Sequence, residues 1–318
     1  MKHLRCLGRL FFVSGVVLGI ALHSLPRGIA YAQPRSEALP LADLHFHAER
    51  GLAPDAVLGA MDRAGVTWAG NGAKGPDGLW RPFVEAAPDR FLPFAGQGAI
   101  GARIQAQGEA AWTLESPEII RYLESLEQGL RDGRFRGIGE LFVNNQNSHG
   151  VFQSTRYPAD SPLMRRLLTL AATYHAPLSV HMDSDPQSIE ELERLLPIDR
   201  NGPVIWAHCG FWIEADQVRR LMNRHSNLFC ELSHRDDRAY GPRFQPVAIT
   251  GFWRRLKPDW KALLEHHSDR FLIGTDADDL GQFRAIIGFY RKVLSQLAPD
   301  AAKRIAHGNA VRLFRLSQ

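Results

Sequence analysis

Leu41-Ala42-Asp43-Leu44-His45-Phe46-His47 is an apolar run that ends in two imidazoles one residue apart. Side chains alternate between the faces of a strand, so His45 and His47 point the same way and suit one shared ion. Working outward, seven more short apolar runs follow at spacings that leave room for a helix between each pair: Val66 to Gly72, Phe91 to Gln97, Gly137 to Val143, Leu178 to Met182, Val204 to His208, Leu228 to Leu232 and Phe271 to Thr275. Several are continuously hydrophobic, as strands buried on both faces must be. Eight strand–helix units predict an α/β protein, a single (β/α)8 TIM barrel, and the periodicity alone also admits a doubly wound sheet.

The helices announce themselves by capping. Ser116-Pro117 opens Ile119 to Leu130 and Ser161-Pro162 opens Leu163 to Tyr174, with a hydroxyl at the cap and proline at the first helical position. Further amphipathic stretches cover Glu214 to Arg224, Trp260 to His266, Phe283 to Leu297 and Asp300 to Leu316. Two connections are long, Ala73 to Asp89 and His234 to Asp259, and long loops after barrel strands shape active sites.

Residues 1–32 read as a signal peptide: Lys2, Arg5, Arg9 and Arg27 without an acid, the apolar run Leu10 to Leu22, and the small-residue site Ala30-Tyr31-Ala32. The apolar run, about 13 residues, is shorter than the roughly 20 of a membrane span, which favours cleavage after Ala32 over a retained anchor. The expectation is a periplasmic or secreted protein with residues 33–318 as its one hydrolase domain and no stable membrane anchor. Taking those four basic residues from the 38 in the chain leaves 34, equal to its 34 acidic ones. A neutral body has no basic face for nucleic acid, so the expected partner is a small-molecule substrate. Cys209 and Cys230 belong to no CxxC pair, and the sequence leaves open a disulfide or two buried thiols.

Ligand-type residues also close other strands: Glu140 after Gly137-Ile138-Gly139, His181 after Ser179-Val180, His208 in Trp206-Ala207-His208-Cys209-Gly210, and Asp276 in Gly274-Thr275-Asp276. Buried charges and imidazoles are expensive unless paired or metal-bound, so six of them at strand ends argue for one site. In this order the motifs resemble the amidohydrolase superfamily, its amidohydrolase-2-like branch, over roughly the whole mature chain; the ending Gly308-Asn309-Ala310 with Leu313-Phe314 looks like that branch's last helix.

The resemblance implies that His45, His47 and His181 bind metal, that Asp276 binds metal and serves as general base, and that His208 either binds a second ion or polarises the substrate. On the fourth strand many binuclear members carry a lysine; Glu140 stands there instead, as in the TatD-like branch, either bridging two ions or supporting one. The cofactor is then one or two divalent ions, Zn²⁺ first, with Mn²⁺ or Ni²⁺ as alternatives. The reaction implied is attack of metal-activated water on an amide, lactone or ester-type bond. Metal-dependent decarboxylation, TatD-like phosphodiester hydrolysis and metal binding without turnover are the competing readings.

Candidate substrate contacts lie in the loops after the same strands: Asn144 and Asn145, then Lys74, Trp80 and Arg81, then His234, Arg235, Tyr240 and Arg243. Asp278 and Asp279 are candidates for supporting the centre or for capping a helix. His266 and His267 fall at a helix C-terminus, where an imidazolium suits the dipole.

Overall fold

The computed structural model describes residues 39–47, 51–71, 77–98, 107, 110, 112–145, 156–236 and 248–317. The expected signal segment lies outside them. Nine strand segments are present among the described residues: β1 Leu41–Asp43, β2 Val66–Gly70, β3 Phe91–Leu92, β4 Phe94–Ala95, β5 Gly137–Asn144, β6 Leu178–Met182, β7 Val204–Trp206, β8 Leu228–Glu231 and β9 Phe271–Leu272. They pair in parallel in the orders β1-β2-β3 and β4-β5-β6-β7-β8-β9.

Pro93 alone separates β3 from β4; it has no N–H to give the ladder, and its carbonyl accepts from the Arg136 N–H at 2.7 Å. The two segments therefore act as one strand. The open edges also meet, because the Leu44 N–H donates to Ile273 O at 2.8 Å and the Asp276 N–H to His45 O at 2.7 Å. A side-chain strut reinforces this seam: Asp43 accepts from the Thr275 N–H at 2.8 Å and from Thr275 Oγ1 at 2.6 Å. The eight expected strands are all present, and the doubly wound alternative drops out because first and last are neighbours.

The helices begin where the caps place them. Ser116 accepts from the Ile119 N–H, Ser161 from Met164, Asp185 from Ser188, and Asp279 from Gly281 and Gln282. Asp279 is thus a cap. Two expectations need correction. The connection after β2 contains a turn, Asp77–Trp80, and a helix, Arg81–Ala86, that buries Phe83 beside Phe46 and Phe91. Strand β7 stops short of its expected end, because His208 and Cys209 adopt positive φ values of 57° and 48° that end the extended run, and β9 covers only Phe271–Leu272 of its expected span.

The core has two parts. Val204 and Trp206 pack in a large cluster with helix residues such as Leu221 and Leu263, whereas Ile205 joins Phe94, Phe229, Leu272 and Phe314. Alternation along β7 thus separates a helix-facing layer from the barrel interior, which Phe314 of the last helix plugs. Cys209 and Cys230 are both buried free thiols.

Candidate metal centre

The strands end on the same rim, and their last inward side chains converge. His45 Nε2 lies 3.2 Å from His47 Nε2 and 3.3 Å from Glu140 Oε2. Asp276 Oδ1 is 3.0 Å from His47 Nε2. On the other side of Glu140, Oε1 is 2.9 Å from His181 Nδ1 and 3.2 Å from His208 Nε2, and those two nitrogens are 3.1 Å apart. All six strand-end residues singled out in the sequence are therefore brought together, every one of them buried.

Close packing forces the glycines here. A Cβ at Gly274 would sit 2.4 Å from His45 Cβ and 2.5 Å from Glu231 Oε1, so the Gly-Thr-Asp turn admits no side chain at its first position. Phe142 stacks on His181 with ring centroids 4.4 Å apart, and Phe211 lies 4.3 Å from His208, which walls the cluster with apolar surface.

Electrostatically the cluster keeps its carboxylates charged. Burial disfavours ionised Glu140, yet His45 and His181 outweigh it and hold the carboxyl well below the usual range. Asp276 is depressed in the same way, burial being overcome by His45, His47 and His234. Burial also opposes charge on His45, but Glu140, Asp276 and Glu231 carry its pKa well above an ordinary histidine. His208 is pushed far down, by burial first, and is neutral. Asp43 is driven up to about 6 by burial, against the hydrogen bonds from Thr275 and His45.

Two neighbours of the cluster were not among the residues expected from the sequence. Glu231, at the end of β8, accepts from His45 Nδ1 at 2.8 Å, and Ser233 Oγ contacts His208 Nδ1 at 2.7 Å. The signal for Glu231 was present, an acid closing the apolar run Leu228-Phe229-Cys230 just as Glu140 closes its own.

The expected substrate contacts fare unevenly. His234 is drawn into the centre, its Nε2 2.8 Å from Asp276 Oδ2. Arg235 is engaged elsewhere: its guanidinium donates to the carbonyls of His208 and Cys209 at 3.0 and 2.6 Å and stacks over Trp260, so it braces the β7 turn. Asn144 donates to Asp185 Oδ2 and Ser188 Oγ at the start of the helix Pro186–Leu195. Trp80 is buried with Phe46, Phe83 and Phe91, and the Arg81 side chain is 78% exposed beside Glu85. Both line a cleft of about 370 Å³ with Phe91 and Arg136, at strand starts and away from the six residues. Asn145 is buried directly after β5. Tyr240, Lys74 and Arg243 lie outside the described residues. His267 departs from the helix-dipole expectation: burial and the neighbouring Arg270 hold it down to about 4, neutral rather than cationic.

The donor set fits a divalent cation. Three trios lie close enough to share an ion: His45, His47 and Glu140; His45, His208 and Asp276; Glu140, His181 and His208. Glu140 Oε2 is fully buried and completes no hydrogen bond among the described residues, its 3.3 Å contact with His45 Nε2 being an ion pair, which suits an oxygen made for a cation. Nitrogen and carboxylate donors without thiolate suit Zn²⁺ or Mn²⁺.

No curated protein sequence matches the chain. The barrel is similar to many solved structures, among them three enzymes of stated activity. A 4-oxalomesaconate hydratase from Rhodopseudomonas palustris aligns with a TM-score of 0.57 at 12% identity, over 86% of this chain and 95% of that one. A dihydroxybenzoic acid decarboxylase from Polaromonas, solved with manganese and the inhibitor 2-nitroresorcinol, gives 0.52 at 15% identity over 88% and 98%. A probable 2-pyrone-4,6-dicarboxylic acid hydrolase from Acinetobacter baumannii, with citric acid bound, gives 0.51 at 12% over 87% and 100%. These likenesses establish the fold. The family model described as amidohydrolase matches residues 34–316, which takes in the whole described barrel. With a match of that extent, the chain belongs to the amidohydrolase family, whose members are metal-dependent enzymes.

Proposed function

We propose that this chain is a metal-dependent hydrolase of a small molecule, acting on an amide, lactone or ester-type bond. The observation that carries the reading is the position of Glu140, whose two carboxylate oxygens face two separate sets of imidazoles. His45, His47, Asp276 and Glu140 would hold one ion, and Glu140, His181 and His208 a second, most naturally Zn²⁺. Such ions supply Lewis acidity and bring the pKa of a water toward neutrality.

Asp276 is the base in this scheme. Its imidazole neighbours keep it ionised, so it can take a proton from the attacking water and return it to the leaving group. His234 orients it through Oδ2. Phe142 and Phe211 keep bulk water from the imidazoles, which strengthens every charge interaction inside. A recess of about 440 Å³ beside Asp183, Ser184, Asp185 and Trp212, just past His181 and His208 in the chain, is of a size for a small substrate. The expected location remains the periplasm or the outside of the cell.

A panel of lactones, N-acyl amino acids, aryl esters and phosphodiesters, assayed with Zn²⁺ and Mn²⁺, tests the reading. Turnover lost in Asp276→Asn supports it. Release of CO₂ from hydroxybenzoates with no hydrolysis of the panel would transfer the proposal to decarboxylation, in which Glu140 supports one ion.

A further inference from the structure

Glu231 Oε2 lies 2.8 Å from His45 Nδ1, 2.6 Å from Ser233 Oγ and 3.3 Å from the His208 backbone N–H; Oε1 takes the Ser233 N–H at 2.5 Å. A carboxylate only accepts, so His45 must donate from Nδ1 and the Ser233 hydroxyl must spend its single hydrogen on Glu231. Ser233 Oγ then has only lone pairs for His208 Nδ1, 2.7 Å away, and His208 must carry its hydrogen on Nδ1. All four groups are fully buried, so water does not compete for these positions.

We propose that Glu231 and Ser233 form a positioning relay that holds a hydrogen on Nδ1 of both His45 and His208 and so turns Nε2 of each toward the centre. One carboxylate on β8 thereby orients imidazoles from β1 and from the β7 turn, one in each of the two ion seats. The inference rests on the metal reading for its purpose, and it also decides between the two roles open to His208. With its hydrogen held on Nδ1 by Ser233, His208 turns the lone pair of Nε2 to the centre, so it serves as a ligand and not as a polarising donor.

The test uses nitrogen-15 histidine spectra of the full-length protein, which distinguish Nδ1–H from Nε2–H tautomers, together with Zn²⁺ affinity by chelator competition. In the wild type His208 should be the Nδ1–H tautomer. Ser233→Ala should mix the His208 tautomers and weaken Zn²⁺ binding about 10- to 100-fold, the effect typical of removing an outer partner of a ligand. Ser233→Thr, which keeps the hydroxyl, should restore both. Glu231→Gln places an amide donor in this acceptor position and should weaken binding at least as much. Unchanged His208 tautomers in Ser233→Ala, or Zn²⁺ affinity within about twofold of wild type in both Ser233→Ala and Glu231→Gln, would overturn the relay. If the wild type binds no Zn²⁺ the metal reading falls, and the tautomer spectra still decide the relay on their own.

Discussion

Replacing Asp43 by alanine tests the barrel seam and the seat of Asp276 in one variant. Asp43 Oδ1 accepts from the N–H groups of Thr275 and His45 at 2.8 and 3.2 Å, and Oδ2 accepts from Thr275 Oγ1 at 2.6 Å. Alanine takes this partner from three donors in a wholly buried position. At about 1–3 kcal/mol for each buried donor that loses this acceptor, the gross loss centres on about 6 kcal/mol. The buried charge works in the opposite direction. The rise of Asp43 from 3.8 to about 6 means that holding it ionised at neutral pH costs about 3 kcal/mol. The net expectation is a loss of about 3 kcal/mol for Asp43→Ala. Asn keeps an acceptor for the backbone groups and sheds the charge, so Asp43→Asn should fall within about 1.5 kcal/mol of wild type.

The folded state binds the Asp43 proton more tightly than the unfolded chain, so this contribution lowers stability as pH rises from about 4 to about 6, and Asp43→Asn should flatten that stretch. Urea unfolding followed by circular dichroism at pH 7, with EDTA present so that ion binding adds nothing, measures all three proteins. Equal stabilities of the Ala and Asn variants, within about 0.5 kcal/mol, would refute the strut.

Gly274→Ala should lose most Zn²⁺ binding, because the added methyl meets His45 Cβ and Glu231 Oε1; wild-type affinity in a titration would contradict the packing. His234→Ala should lower kcat more than it raises KM, since the side chain holds Asp276 Oδ2; a pure KM effect would make His234 a substrate contact instead. His267 is neutral in the fold down to about pH 4 but protonates near 6.5 when unfolded, so its contribution is present above 6.5 and lost as pH falls to 4. His267→Gln should therefore be less acid-sensitive over that range, as thermal unfolding at stepped pH will read out. Stripping the ions with EDTA should lower the thermal midpoint, and Zn²⁺ at about 100 times its Kd should return about 2.7 kcal/mol.

Much of the site was legible in the sequence because parallel barrel strands are buried on both faces and polar residues stand out at their ends. His45, His47, Glu140, His181, His208 and Asp276 each close such a run. What stayed hidden depends on the third dimension. Arg235 and Asn144 read as loop residues free to meet substrate, and only the fold shows that the β7 turn and a helix start engage them. The positive φ values of His208, His234 and Asp276 are rare for residues with side chains, and no local pattern announces them. At His208 the positive φ also ends β7 early, because the chain turns there. Glu231 closes its apolar run as Glu140 does, but its contact with His45 joins residues 186 positions apart, which no local pattern shows.

Zinc analysis of the dialysed protein tests the central claim most directly. Close to two ions per wild-type chain are expected, about one in His181→Ala, and none retained in Glu140→Ala, whose carboxylate serves both seats. A wild-type chain that retains no divalent ion would contradict the metal centre, and a single ion kept by wild type and Glu140→Ala alike would contradict the bridge.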